Sequence, residues 1–132
     1  MATPEAIERY TALMRKPKPE GFEPVATAFV IAPEIEGCKI MAPHFERAVH
    51  GLRNALHVTD IRNYGLAAGI TIASAPGEPA KRPYELAMAM FKKGYYVRYG
   101  GDTIQLAPPF ISTPAEIDSL MGALGDTLQA TT

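Results

Sequence analysis

The chain has 132 residues, of which 47% are hydrophobic and 20% are charged, and this is the size and composition of one ordinary globular domain. A net charge of −1 and a pI near 6.3 exclude a strongly basic surface, so we expect no nucleic-acid partner. Cys38 is the only cysteine and no apolar run approaches the about 20 residues of a membrane helix, so we expect a cytoplasmic protein with no disulfide and no membrane segment.

The first 35 residues are predicted to form a helix followed by a proline-rich linker or arm. Thr3-Pro4 supplies a capping residue and a proline at the first helical position. Lys16-Pro17-Lys18-Pro19 indicates an extended linker, because each proline removes a backbone donor and disfavours helix before it. Val25–Ile31 is rich in β-forming residues and predicts a short strand, or an arm on the main body, that ends before Pro33. The predicted division is therefore into residues 1–35 and 36–132.

A helix and a hairpin are predicted next. From about Cys38 the apolar residues recur at the spacing of one buried helical stripe, and Pro43 marks the start of that helix or a kink in it. Val58–Arg62 alternates like a strand, Asn63-Tyr64-Gly65 supplies a turn, and Leu66–Ala73 forms the second strand. The predicted core positions are Met41, Phe45, Ala48, Val49, Leu52, Ile70 and Ile72.

Two further helices are predicted in the second half of the chain. One begins at Pro83 and ends at Gly94, the other begins at a capping box, Thr113-Pro114-Ala115-Glu116. Their predicted core stripes are Tyr84, Ala87, Met88 and Phe91 in the first, and Ile117, Leu120, Met121, Leu124 and Leu128 in the second. The order of elements predicts an α+β domain in which two hairpins form a small antiparallel sheet and helices pack on its apolar face.

A second hairpin, Tyr95–Pro109, lies between these two helices and carries one arginine. Gly100-Gly101 is predicted as its two-residue turn. Arg98 then projects from the non-core face, where its guanidinium could hold a carboxylate by two parallel hydrogen bonds; a solvated surface arginine is the alternative interpretation. The pairs predicted by this turn are Tyr99 with Asp102, Arg98 with Thr103, Val97 with Ile104, Tyr96 with Gln105 and Tyr95 with Leu106.

Other chemical motifs are absent from the sequence. The three histidines do not have the spacing of metal ligands, Cys38 has no recognisable general base near it in sequence, and no phosphate-binding glycine loop is present. Asp60 and Asp102 lie near turns, where aspartate caps backbone amides, so neither is assigned to catalysis. We therefore predict no metal site and no catalytic residue. The histidines are His44, His50 and His57.

From about Glu36 onward the chain resembles the small C-terminal domain of class III (fold type I) pyridoxal-phosphate (PLP) aminotransferases, in the β-alanine (ω-amino acid)–pyruvate branch. The residues that carry the resemblance are Ala42–His50, Asp60–Ile70 and Val97–Pro109. In that family Arg98 matches the mobile arginine that binds the α-carboxylate of alanine or pyruvate and swings aside for an amine or ω-amino acid donor. The resemblance therefore implies a substrate-binding role for Arg98.

The resemblance also implies what this chain lacks. The family's cofactor lysine, its pyridine-ring contacts and its phosphate loop belong to a large domain, and none of Lys16, Lys18, Lys39, Lys81, Lys92 and Lys93 matches the cofactor lysine. We therefore expect no cofactor in this chain alone, PLP in the complete family enzyme, and no transamination without a large domain. Residues 1–35 are expected to depart from the family.

Two kinds of partner follow from this expectation. A separate large-domain chain would complete the active site around a small amino or keto acid. The alternative is a degenerate stand-alone domain that acts as an oligomerisation or partner-binding module, with a homo-oligomer as the simplest case. A third option is a stand-alone protein that binds carboxylates through Arg98.

Overall fold

A computed structural model of the chain describes the backbone of residues 25–132 and the side chains of residues 36–132. The predicted N-terminal helix and the Lys16–Pro19 linker lie outside the described residues. The contacts between residues group the chain into two compact units, Met1–Val30 and Ile31–Thr132. The sheet and the last two helices belong to the second unit. The elements in chain order are α1 Val25–His50, β1 Val58–Tyr64, β2 Ala67–Ile72, α2 Lys81–Lys92, β3 Arg98–Gly100, β4 Thr103–Leu106 and α3 Pro114–Ala130.

The strand predicted at Val25–Ile31 is wrong, because these residues form the start of α1. Propensity differences between helix and strand amount to less than about 1 kcal/mol per residue, so a β-rich run is easily overridden. Ala26, Ala28 and Ala32 lie in or beside this run and are strong helix formers. Pro33 does not end the helix, which continues as one element to His50.

The four strands form one antiparallel sheet with the order β1-β2-β4-β3. The two predicted hairpins are therefore joined through β2 and β4, and the α+β fold class is confirmed. Side chains from the sheet and from all three helices share one core. The buried hydrophobic residues are Phe45, Val49, Leu66, Ile70, Ile72, Leu86, Ala87, Met90, Val97, Ile104, Leu106, Ile117, Met121, Leu124 and Leu128.

Helix α2 is rotated relative to its predicted stripe. Its buried residues are Pro83, Leu86, Ala87 and Met90, whereas Tyr84, Met88 and Phe91 are 50%, 39% and 64% exposed. Both sets satisfy helical spacing, so periodicity alone does not fix which side faces the core. Contacts with α3 decide it, as at Met90, whose Sδ lies 3.4 Å from the Thr127 hydroxyl.

The end of α2 and the start of α3 follow the sequence closely. Gly94, just past α2, has a φ of 90°, as a left-handed helix end requires. The predicted capping box is present, because Thr113 Oγ1 accepts a hydrogen bond from Glu116 N and Glu116 Oε2 accepts one from Thr113 N at 2.8 Å. Within the described residues, no helix combines the length and the hydropathy needed to cross a bilayer.

The register of the β3–β4 hairpin differs from the prediction. Arg98 pairs with Gln105 and Gly100 with Thr103, so the turn is Gly101-Asp102 rather than Gly100-Gly101. Gly101 has a φ of 56° and supplies the left-handed conformation that the first position of such a turn needs. The pairing shift is two residues, and an even shift keeps each side chain on its face. Arg98 therefore still projects from the non-core face.

The residue before α2 has strained backbone, which predicts a stabilising substitution. Ala80 has a φ of 62°, a conformation that costs a residue with a Cβ about 1–2 kcal/mol. We expect Ala80→Gly to relieve this strain and to raise the free energy of unfolding by about 0.5–1 kcal/mol. The gain is smaller than the strain itself, because glycine also has more conformational entropy in the unfolded state. Urea unfolding measures it, and the matched change Ala89→Gly inside α2 is expected to lower it by about 1 kcal/mol. A loss of stability from Ala80→Gly would contradict this account.

Candidate functional site

Arg98 lines a cleft on the surface of the described residues. It is the first residue of the edge strand β3, it is exposed, and it lies opposite Gln105. The cleft has a volume of about 860 Å³ and is formed by residues 94–98, by the end of β4 with Ala107–Pro109, and by the first turns of α3. A rigid strand and its cross-strand partner therefore hold the arginine at the rim of a concave surface.

The walls of this cleft are mainly apolar, and among the described residues that line it Arg98 is the only basic one. The acidic side chain is Glu116, whose carboxylate is already bound by the Thr113 backbone N–H and hydroxyl. These bonds, the backbone bond first, hold the pKa of Glu116 below its ordinary value, so the group stays charged and committed to the helix cap. The apolar lining residues include Leu106, Pro108, Pro109, Ile111, Ile117 and Leu120.

The Arg98 guanidinium is available to a ligand. Among residues 36–132, no hydrogen bond or ion pair engages it. By contrast, Arg53 bonds His50 at 2.9 Å, Arg62 bonds Asp60 at 2.7 Å, and Arg82 donates to the backbone carbonyl of Ala73 at 2.7 Å. A free, planar fork beside an apolar wall is suited to a carboxylate, which it can bind through two parallel hydrogen bonds.

Asp102 ties the turn of the Arg98 hairpin to the start of α2. Its carboxylate accepts a hydrogen bond from the Ser74 hydroxyl and another from Ala80 N at 3.0 Å, and its backbone carbonyl accepts one from Ile72 N at 2.7 Å. The sequence predicted only a local turn cap here, because Ser74 and Ala80 are far away in the chain. The ordered turn fixes where β3 ends, and with it the position of Arg98 two residues earlier.

These bonds make the stability of the fold depend on pH. The Ser74 hydroxyl, and then the Ala80 N–H, lower the pKa of Asp102 below its ordinary value of 3.8. A lowered folded-state pKa gives stability that is present above pH 4 or so and is lost as the pH falls through the folded-state value. We expect Asp102→Asn to lower Tm near neutral pH, with the difference from the parent chain shrinking in acid. Asp126→Asn, at an exposed site on α3, is the control, and a pH-independent difference for Asp102→Asn would contradict the assignment.

Each of the three histidines forms a ring-nitrogen contact with a neighbouring segment. His44 pairs with Asp118 at 2.7 Å, His50 contacts Asn63 at 2.9 Å, and His57 donates to the Thr131 carbonyl at 3.1 Å. None of them lines the Arg98 cleft. A search of the described residues finds no group of three or more side chains that could hold a metal ion.

Comparison with known proteins identifies the family. No protein-family model matches the chain. The chain is 41% identical over 142 residues to the omega-amino acid–pyruvate aminotransferase of Pseudomonas putida, over 93% of this chain and 32% of that protein. It is 50% identical over 88 residues to the beta-alanine–pyruvate aminotransferase of Pseudomonas aeruginosa, over 67% of this chain and 20% of that protein. The chain is similar to one part of these enzymes, and the matches support a fragment of the class III aminotransferase family.

A solved structure agrees with this family assignment. The adenosylmethionine-8-amino-7-oxononanoate aminotransferase of Methanocaldococcus jannaschii matches the chain with a TM-score of 0.69 and 28% identity, over 79% of this chain and 25% of that one. The resemblance predicted from the sequence is therefore confirmed. The chain spans about a third or less of the length of these relatives.

The match to the Pseudomonas putida relative also reaches the N-terminal region. It leaves only 7% of the chain unmatched, the remainder of the 93% that it covers. Part of residues 1–35 therefore lies within the match. The domain division at residue 35 stays a prediction.

The described part of this chain does not fit the cofactor of the related enzymes. Related aminotransferases use PLP, which needs a lysine to hold it and a cradle for its phosphate. No lysine lines the Arg98 cleft. Lys39 and Lys81 are exposed and paired with Glu36 and Glu78, Lys92 is exposed, and Lys93 bonds the Thr127 hydroxyl at 2.7 Å. The residues that the structure describes therefore place no lysine at this cleft that could hold PLP.

Proposed function

We propose that this chain is the small-domain part of a β-alanine (ω-amino acid)–pyruvate aminotransferase and that Arg98 binds the carboxylate of the small amino or keto acid substrate. One observation carries the proposal: the Arg98 guanidinium, which no side chain or backbone group of residues 36–132 engages, lines an open, mainly apolar cleft. The names of the two Pseudomonas relatives supply the substrate class. The reaction is transfer of an amino group from the donor to pyruvate.

The polarity of the cleft supports discrimination between substrates that carry a carboxylate and donors that do not. A carboxylate at Arg98 gains two charge-assisted hydrogen bonds next to a wall that excludes water. A simple amine donor, unlike β-alanine, has no carboxylate, so its apolar end gains nothing from the guanidinium and is better matched by Ile111 and Leu120. Arg98 is exposed and free of bonds within the described residues, so its side chain can turn away without breaking a contact.

Two features of the cleft support the proposal that a second protein domain is needed for activity. The cleft lacks a cofactor lysine, and the exposed side chains of Tyr96, Phe110 and Ile111, at 78%, 56% and 77%, lie at or beside its rim. Such a rim favours coverage by another surface. We propose that the large domain of an aminotransferase covers it and brings PLP and the catalytic lysine to the substrate that Arg98 holds.

A chimaera tests this function. In the Pseudomonas putida relative, the segment that matches this chain is replaced by the chain itself. We expect the chimaera to bind PLP and to convert β-alanine and pyruvate, whereas the relative without that segment does not. A chimaera that folds and binds PLP but turns over neither substrate would contradict the proposal and would favour the stand-alone binding module.

A further inference from the structure

The outer side of α2 carries an apolar row that the core does not use. Tyr84, Met88 and Phe91, here named the α2 stripe, follow one another at the i, i+4, i+7 positions of the helix and are 50%, 39% and 64% exposed. Tyr99 of β3 extends the row, because its ring meets the ring of Tyr84 edge-to-face with centroids 5.9 Å apart. The stripe lines a shallow groove on the surface, separate from the Arg98 cleft.

The charges beside the α2 stripe are self-complementary. Glu85 and Lys92 line the same groove near its two ends, and among the described residues neither forms an ion pair. Positions 85 and 92 lie equally far from the midpoint between residues 88 and 89. In an antiparallel pair of α2 helices with a two-fold axis at that midpoint, Glu85 of each copy faces Lys92 of the other. Met88 then lies at the axis and Phe91 beside the second copy's Tyr84.

We infer that the α2 stripe joins two copies of this chain in a reversible, two-fold symmetric dimer. An isologous contact needs a surface that is complementary to itself. Glu85 and Lys92 lie on opposite sides of the axis, so the dimer contains two identical Glu85–Lys92 pairs and the surface meets that condition. A bilayer or a nucleic acid would require a predominantly basic rim, whereas this groove has one charge of each sign. The inference goes beyond the proposed transamination, which does not use α2.

The exposed area of the α2 stripe sets the expected affinity of the dimer. Large side chains bury about 150–250 Å² each when fully covered, and four of them roughly half exposed offer on the order of 400 Å² per copy. A pair then buries about 800 Å², or somewhat more with the charged rim, which is the range of weak and transient contacts. The dimer is therefore expected to dissociate on dilution.

Sedimentation equilibrium of the 132-residue chain tests the contact. We expect the mean mass to rise with concentration from the monomer value of 14.3 kDa towards twice that value. Phe91→Ser and Met88→Glu are expected to abolish the rise, since the second change places two carboxylates at the axis. Tyr64→Ser is the matched control, because Tyr64 is 91% exposed on β1 and lies outside the stripe.

Charge exchange tests the antiparallel geometry independently. Glu85→Lys alone is expected to weaken the dimer by about tenfold in Kd, because it sets like charges opposite each other. Glu85→Lys combined with Lys92→Glu is expected to restore it. A chain that stays monomeric at every concentration, a dimer unaffected by Phe91→Ser, or a double exchange that fails to restore association would each overturn the inference. Thermal unfolding of every variant shows that α2 remains folded.

Discussion

Arg98→Ala in the chimaera is expected to lower kcat/KM for pyruvate about 100-fold or more. Two charge-assisted hydrogen bonds to the carboxylate are lost, each worth about 1.5–3 kcal/mol, and about 1.4 kcal/mol corresponds to a factor of ten in rate. The half-reaction with a simple amine donor has no carboxylate to lose, so its kcat/KM is expected to change by less than about threefold. Single-turnover kinetics of the two half-reactions measure both values.

Two further variants isolate the cause of that effect. Arg47→Ala removes an exposed arginine of α1 that does not line the cleft, and it is expected to leave both half-reactions unchanged. Arg98→Lys keeps the charge but not the planar fork, so an intermediate loss with pyruvate is expected. Equal losses in the two half-reactions for Arg98→Ala would show that the arginine supports the fold of the site rather than the substrate carboxylate.

Phe45→Ala is expected to lower the free energy of unfolding of the 132-residue chain by about 3–5 kcal/mol. Phe45 is completely buried between α1 and the rest of the core, so its removal leaves a cavity as well as losing buried apolar area. A domain of this size has a total stability of roughly 5–15 kcal/mol, so the variant is expected to be marginally folded. Urea unfolding at low concentration, where the chain is monomeric, measures the change.

Phe91→Ala is the matched control, since it removes the same ring from an exposed site. Phe91 is 64% exposed, and we expect its loss to cost less than about 1 kcal/mol. The sequence pattern placed Phe91 in the core, so the pair of variants also tests the observed rotation of α2. Equal costs at positions 45 and 91 would mean that α2 faces the core with the stripe that the sequence predicted.

Features governed by local chemistry could be predicted from the sequence. The capping box at Thr113 and Glu116 follows from two side chains three residues apart, and the positive φ of Gly94 follows from the end of an apolar period. The face of Arg98 was also predicted, because alternation along a strand survives an even shift in pairing. The fold class depends on the order of such elements, which the family resemblance then supported.

Features governed by distant contacts could not be predicted. The α2 rotation depends on how Met90 meets Thr127 of α3, and the turn at Gly101-Asp102 depends on Ser74 and Ala80, which hold the Asp102 carboxylate. Because Gly100-Gly101 was predicted as the turn, the predicted register paired Arg98 with Thr103 rather than with Gln105. Assigning positive φ to Gly101 as the first turn residue would have revealed this pair, since two-residue turns favour glycine there.

The most direct test of the account is borohydride reduction of the purified 132-residue chain after incubation with PLP, followed by peptide mass spectrometry of its lysines. If the chain supplies a substrate-binding arginine but no cofactor site, labelling is expected to be substoichiometric and scattered over exposed lysines such as Lys39, Lys81 and Lys92. A stoichiometric adduct at a single lysine, with β-alanine–pyruvate turnover by the same preparation, would contradict the account, because it would mean that this chain holds a complete active site.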